Sequence, residues 1–219
     1  MKLSLRAAGL AVATLTLAAL ILPGSAGAKP WWMRGVESNE GDFLDPDVAF
    51  RAGSRVDGKS NREAAATADV VVLTVPATGL QTTLPELRDV CRGKVVVSTV
   101  VPLTFGGGRL FTPPPQGSAA EEAQEILGPE ARVVASFHHI AAHELAAGDH
   151  AIECDLLLCG GDAPAKKLVT ELGASMGLRA VDVGPLTNAG PLEGITAVLA
   201  TINRRYKLKN SGIKITGLP

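Results

Sequence analysis

The side chains able to do chemistry in this 219-residue chain gather in its second half. They are His138, His139, His143 and His150, followed closely by Cys154 and Cys159. Histidine and cysteine together suggest a metal, but the two cysteines fall in and at the end of an apolar run and lack the paired CxxC spacing of a closed site, so no metal is expected. His138 ends another apolar run, VVASFHH. It reads either as a core-edge histidine bonded to a backbone carbonyl or as a group facing a ligand. Gly106-Gly107-Gly108 could be taken for a phosphate cradle, but no helix starts directly after it, and a phosphate loop draws its field from a helix N-terminus. It reads as a mobile loop.

The elements that must position these groups are legible. Val70 to Pro76 (VVVLTVP), Val95 to Pro102 (VVVSTVVP) and Val133 to His139 are rich in β-branched residues with no polar alternation. That pattern marks strands buried on both faces, as in a parallel sheet covered by helices. Ligands of such sheets sit outside the carboxyl ends of the strands, which places Pro76, Pro102 and His138 along one crevice. Between the first two strands, Gly79 to Arg92 carries Leu80, Leu84, Leu87 and Cys91 at helical spacing. Leu103 to Ser118 is a glycine- and proline-rich loop, and Ser118 to Leu127 reads as a helix with Ser118 as its cap and Glu121 three residues on. Further on, Asp155 to Asp162 reads as strand and turn, Pro164 to Met176 as a helix stopped by Gly177, and Arg179 to Val183 as a strand. A last helix spans about Pro191 to Arg205, and IKITGL (Ile213 to Leu218) looks like a closing strand. The fold class expected is α/β: a Rossmann-like, doubly wound, mostly parallel sheet with a small carboxyl-terminal α/β extension.

Composition agrees. With 46% hydrophobic and 20% charged residues the chain can bury one substantial core, or one core and a small lobe. A formal charge of −1 offers no basic field for nucleic acid, and the one basic cluster is Arg204, Arg205, Lys207 and Lys209. Three cysteines are odd in number and read as buried thiols.

Two readings of the amino terminus stand side by side. Lys2 and Arg6, the apolar run Ala7 to Leu22, a Pro-Gly break and Ala26-Gly27-Ala28 have the layout of a secretory signal; at about 16 residues the run is short for a membrane span of roughly 20. The other reading makes Leu17 to Leu22 a first strand and PGSAGAK (Pro23 to Lys29) a worn phosphate loop. Lys29 to Arg55 shows no clear period where a first crossover helix belongs, so the first βαβ unit is degenerate. The expected division is residues 1–28 as signal-like segment or degenerate strand, 29–60 irregular, 61–150 nucleotide-binding and 151–219 a carboxyl-terminal part that completes the fold.

Six strings in order carry a resemblance: ADVVVLTVP (Ala68 to Pro76), KVVVSTVVPL (Lys94 to Leu103), VVASFHHIAA (Val133 to Ala142), LLLCGGD (Leu156 to Asp162), VDVGPLTNAGPLEGITAVLATINRRYK (Val181 to Lys207) and GIKITG (Gly212 to Gly217). From about Asn61 onward the chain resembles the NADPH-dependent reductases of the deazaflavin coenzyme F420, with a wider kinship to the reductase domains of membrane metalloreductases. The resemblance implies NADP(H) and coenzyme F420 as bound coenzymes and a direct hydride exchange between nicotinamide C4 and deazaflavin C5. The coenzymes would carry the reaction and the protein would supply orientation and exclude water. It implies that Val75, Pro76, Ala77 and Gln81 run along the nicotinamide half of NADP, with Pro102, Leu103 and Ala142 as further contacts. His138, as a positioning catalytic group, and Ser136 would lie beside the reacting rings, and Thr187 and Asn188 on the deazaflavin side. Gly53-Ser54-Arg55 looks like the family's GSR, in which Ser54 and Arg55 would grip the 2′-phosphate, although the segment from Arg55 to Asn61 is shorter than the family's. The family's Gly-Gly-Thr-Gly-x-x-Gly loop is absent as a string. The expectation is therefore a working oxidoreductase, with a non-catalytic or exported remnant that has an incomplete nucleotide site, or a related NADP-binding reductase domain, as the alternative. Small-molecule partners, the cytoplasm, no stable membrane span and a homodimer formed through the helix after Pro191 go with the first.

Overall fold

The computed structural model describes residues 12–14, 60–105, 108–141, 144–145 and 152–218. Six strands form one sheet in chain order: β1 Val12–Thr14, β2 Val70–Leu73, β3 Val95–Ser98, β4 Arg132–Ser136, β5 Asp155–Gly160 and β6 Arg179–Asp182. β1 to β4 are mutually parallel, with Val12 beside Val70, Val70 beside Val95 and Val95 beside Arg132. β5 turns antiparallel to β4, pairing Ser136 with Leu158, and β6 runs parallel to β5. The first strand thus comes from the signal-like apolar run, but at Val12–Thr14 rather than at Leu17 to Leu22; the latter, the PGSAGAK turn and the segment 29–55 lie outside the described residues.

Both faces of the central strands are buried. Val71, Leu73, Val96, Val133, Ala135, Leu157 and Cys159 point into one core, closed by α1 (Asn61–Thr67), α2 (Leu80–Thr83), α3 (Ala119–Leu127) and α5 (Ala189–Tyr206) through Ala65, Leu80, Leu84, Ala120, Ala123, Ala189 and Leu192. Val70, Val95, Val97, Val134 and Leu158 point the other way, where α4 (Ala163–Ser175) covers them with Ala165 and Val169. Alternate residues meet different helices, and no polar alternation can survive in such a strand.

The apolar spacing over Gly79 to Arg92 is real, but the helix is broken into a 3₁₀ turn at Ala77–Gly79, the short α2 and a second 3₁₀ turn at Pro85–Leu87. Pro85 has no N–H to continue the ladder. Ser118 caps α3 as its type suggests: Oγ accepts from Glu121 N at 3.0 Å and donates to the Glu121 carboxylate at 2.8 Å. Ser118→Ala is expected to lower stability by about 1 kcal/mol, read from a urea denaturation curve.

IKITGL is not a strand. The segment is irregular and strapped to the start of β5, where Asp155 N donates to Ile213 O (2.7 Å) and Asp155 Oδ2 accepts from Ile215 N (2.6 Å). Arg179 completes the anchor with bonds of 2.9 and 2.7 Å to the same carboxylate, which hold it below the usual carboxylate range. Among the described residues no helix is long and apolar enough to cross a membrane.

Candidate functional site

The carboxyl ends of β2, β3 and β4 lie side by side, as parallel pairing requires. Thr99 fastens two of them, with its N–H and its hydroxyl both donating to Leu73 O (3.2 and 2.8 Å). β2 runs out through Val75, whose side chain is core, to Pro76 and Ala77, both half-buried. β3 runs out to Pro102 and Leu103, also half-buried, in a loop folded back on itself: Leu103 bridges Phe111 and Thr104 N donates to Leu110 O (2.8 Å). The connection from β4 to β5 both starts and finishes at this same end, because the two strands are antiparallel.

β4 ends abruptly. Phe137 has φ 64°, a conformation costly for an aromatic residue and favoured only where surroundings impose it. The turn, closed by Ile140 N to Phe137 O (3.1 Å), drives His138 and His139 inward. His139 Nε2 donates to Asp155 O at 2.8 Å. His138 is 7% exposed, yet both its ring nitrogens lack a partner among the described residues, and so does the hydroxyl of Ser98, 0% exposed, at the end of β3. The carbonyl-bonded core histidine is therefore His139. Burial, reinforced by neighbouring His139, pushes the His138 pKa down to about 3, and burial lowers that of His139, so both rings are neutral near pH 7.

Unpartnered polar atoms inside a protein are expensive and call for an explanation. Three such atoms on two side chains at neighbouring strand ends, where ligands of such sheets bind, fit a group that brings its own donors and acceptors. A cavity of about 270 Å³ opens at this end, between the β4–β5 connection (His139, Ala141, Glu144) and the tail after α5 (Asn210, Ser211, Gly212).

The other sequence-selected residues fall in different places. Ser136 is buried and occupied, its hydroxyl donating to Leu157 O (3.1 Å) across to β5. Gln81 is exposed, its amide bonded to Glu122 of α3 (2.5 Å). Thr187 and Asn188 are exposed in a 3₁₀ turn, and Asn188 Nδ2 donates to Val183 O (2.6 Å). Because β6 is reversed, Val183 leaves the sheet at the end opposite His138, and α5 carries the chain back until Thr196 Oγ1 donates to His138 O (3.0 Å). Ser54, Arg55 and Ala142 lie outside the described residues. Among the described residues no group of three or more His, Cys, Asp or Glu could hold a metal ion.

Sequence reasoning passes over two groups here. Ser98 is hidden because a serine inside VVVSTVV reads as strand filler. Glu193 is hidden because a glutamate in a helix reads as solvent face. Its carboxylate is 0% exposed and accepts from Ala119 N (3.0 Å) and Ala120 N (3.1 Å); burial raises its pKa to about 7. The thiol of Cys159, buried on the same face of the sheet, is pushed up to about 12.

Comparison with known proteins points one way. Residues 45–102 match the family model described as NADP oxidoreductase coenzyme F420-dependent. The F420-dependent NADP reductase of Methanocaldococcus jannaschii is 40% identical over 166 residues, 74% of this chain and 74% of its own, and that of Methanothermobacter thermautotrophicus is 38% identical over 178 residues, 79% and 77%. A crystal structure from Arthrobacter sp. FB24, provisionally named an F420-dependent NADP reductase, superposes with a TM-score of 0.64 at 27% identity, covering 71% of this chain and 72% of that one. With the six strings in order and relatives at this identity aligned over most of both chains, the chain belongs to the F420-dependent NADP reductase family.

Proposed function

We propose that the chain is an oxidoreductase that passes a hydride between NADP(H) and coenzyme F420. The observation that carries this reading, beside family membership, is the buried and unpartnered His138 at the strand-end crevice. When bound, the nicotinamide and deazaflavin rings supply the hydride donor and acceptor. The chain's own residues bind, orient and keep out water.

His138 is suited to a positioning role because it is neutral. One ring nitrogen donates and the other accepts, and no positive charge stands beside the reacting atoms to stabilise the hydride donor in place. Ser98 offers a second hydroxyl at the adjacent strand end. Val75 contributes backbone rather than side chain, since its side chain belongs to the core, and Pro76 and Ala77 form the edge along the nicotinamide half. Pro102 and Leu103 close the crevice from the β3–α3 loop, which the Leu103–Phe111 bridge stiffens. Ala142 is the further contact after β4 and Gln81 lies at the mouth, whereas Thr187 and Asn188 follow β6 at the end of the sheet opposite His138 and are left out of this crevice. Ser136 acts through β5, whose carbonyl it holds. The 2′-phosphate falls to Ser54 and Arg55.

Titration of the full-length chain with NADPH, followed by mixing with oxidised F420 and recording the loss of its visible absorbance, tests the reading directly. Binding with bleaching is expected; a folded chain that does neither is the non-catalytic remnant. Arg55→Ala is expected to weaken NADPH by on the order of 1.5–3 kcal/mol and NADH by little, measured by calorimetry. Equal loss for both would remove Arg55 from the phosphate site. The coenzyme pools place the activity in the cytoplasm. A second copy would pair through α5, where Val198 is exposed and a groove of about 490 Å³ runs between Leu110, Phe111 and Pro113 and the helix face Ala197 to Ile202.

A further inference from the structure

We infer that Glu193 is a positioning residue for this reaction: its buried carboxylate clamps the head of α3 to α5 and so holds the β3–α3 loop over the ends of β3 and β4. The inference rests on the function proposed above.

The first N–H groups of a helix have no partner within it. In α3 one of them, Glu121 N, is met by the local cap Ser118, while Ala119 N and Ala120 N are met by Glu193, 74 and 73 residues away in the chain. A negative charge is well placed there, facing the positive end of the helix. One turn further on, Thr196 of the same helix holds the carbonyl of His138. A single turn of α5 therefore grips both walls of the crevice, the loop that ends at α3 on one side and the end of β4 on the other. The approach is close because the preceding turn carries Gly190, where a Cβ would come within 2.6 Å of Gly117 O. A salt bridge would serve a purely structural clamp equally well, but among the described residues no cation is one of the groups that set the Glu193 charge. Those facing it are Glu121 and Glu122 of α3, which oppose ionisation, and the thiol of Cys159 on β5; the 3₁₀ turn Leu186–Asn188 brings none. Burial outweighs the helix field and leaves the group titrating at about pH 7. The closed clamp thus binds a proton that the opened one releases, and its grip on the loop loosens as pH rises from 4.5 through neutrality.

The test combines two measurements on the full-length chain. Amide hydrogen exchange of the coenzyme-free protein reads the clamp: protection at Ala119 and Ala120, taken relative to the intrinsic exchange rate, is expected to fall as pH rises from 4.5 through 7 in the wild type and to lose that pH dependence in Glu193→Gln. Steady-state reduction of F420 by NADPH reads the consequence. Glu193→Gln is expected to raise KM for NADPH about tenfold, with a smaller change in kcat, and to abolish the wild-type break in KM near pH 7. Glu193→Asp keeps the charge on a shorter arm; it should raise KM yet retain the break, and it answers the question if the Gln variant does not fold. A variant that melts earlier but keeps the wild-type KM and pH profile would reduce Glu193 to a structural cap and overturn the inference. Protection at Ala119 and Ala120 that ignores both pH and residue 193 would overturn it whether or not the wild type turns over. A wild type that never bleaches F420 refutes the proposed reaction, and the exchange data then judge the clamp by itself.

Discussion

Gly190→Leu is expected to cost about 3 kcal/mol of stability, the upper end for overpacking a tight contact. The Cβ alone would sit 2.6 Å from the carbonyl oxygen of Gly117, a backbone atom with little room to yield. Gly117 has φ 102°, and the space beside it is taken by the Glu121 carboxylate, which would lie 2.8 Å from a side chain there. The loop cannot retreat without losing the cap on α3, so α5 must lift, and the two bonds from Glu193 go with it. Gly194, one turn along the same face, is the control: its Cβ would meet the Phe111 ring at 3.5 Å, an ordinary contact. Gly194→Ala should leave stability unchanged or raise it by up to about 1 kcal/mol through helix propensity. Urea denaturation of the two variants against wild type decides the matter, and equal midpoints for Gly190→Leu and wild type would refute the packing.

The second large effect is a pH dependence hidden by cancellation. The His138 pKa is depressed from 6.5 to about 3, so the unfolded chain binds the extra proton between those values and stability is lost as pH falls through that window. Alone it would remove roughly 4–5 kcal/mol, at about 1.4 kcal/mol per pH unit. Glu193 is raised from 4.5 to about 7, so the folded chain binds the extra proton and stability is lost as pH rises from 4.5 to 7, by roughly 3 kcal/mol. The slopes oppose between pH 4.5 and 6.5. The contributions of these two groups therefore nearly cancel there, which leaves only the shallow rise with pH that buried His139 adds. His138→Leu should show stability falling with pH over that range, and Glu193→Gln should show it rising. Urea midpoints at half-unit intervals measure all three, and parallel flat curves would mean that neither group titrates as its burial dictates.

The central strands are legible because burial on both faces leaves only apolar residues from Val70, Val95 and Val133 onward. Their carboxyl ends are overestimated, since Thr74, Val100 and Val101 continue the apolar pattern after the ladder stops. The helix after β2 matches in spacing but not in continuity, and Pro85 is the visible reason. The reversal of β5 is invisible: LLLCG reads the same whichever way the strand points, and direction is settled by the length and packing of the connection before it. IKITGL alternates like a strand but spends its polar groups on Asp155 and Arg179 instead of a ladder. The alignment of the strand ends, and the place of His138 just beyond one of them, were readable from the apolar runs. Ser136, expected beside the reacting rings, is buried with its hydroxyl engaged on β5. Glu193 left a trace: Ala189, Gly190, Leu192 and Ala197 surround it at helical spacing, so a carboxylate there sits in an apolar stripe, not on a wet face.

The reversed carboxyl-terminal pair of strands separates two jobs that most sheets of this kind keep together. Gly160 and Gly161 close β5 at the end of the sheet away from His138, and Gly161 has open space where a side chain would stand. That turn is thus a natural handle. A dye, a tether or a fused partner attached at Gly161 would report on or immobilise the molecule from behind, leaving the crevice facing solution.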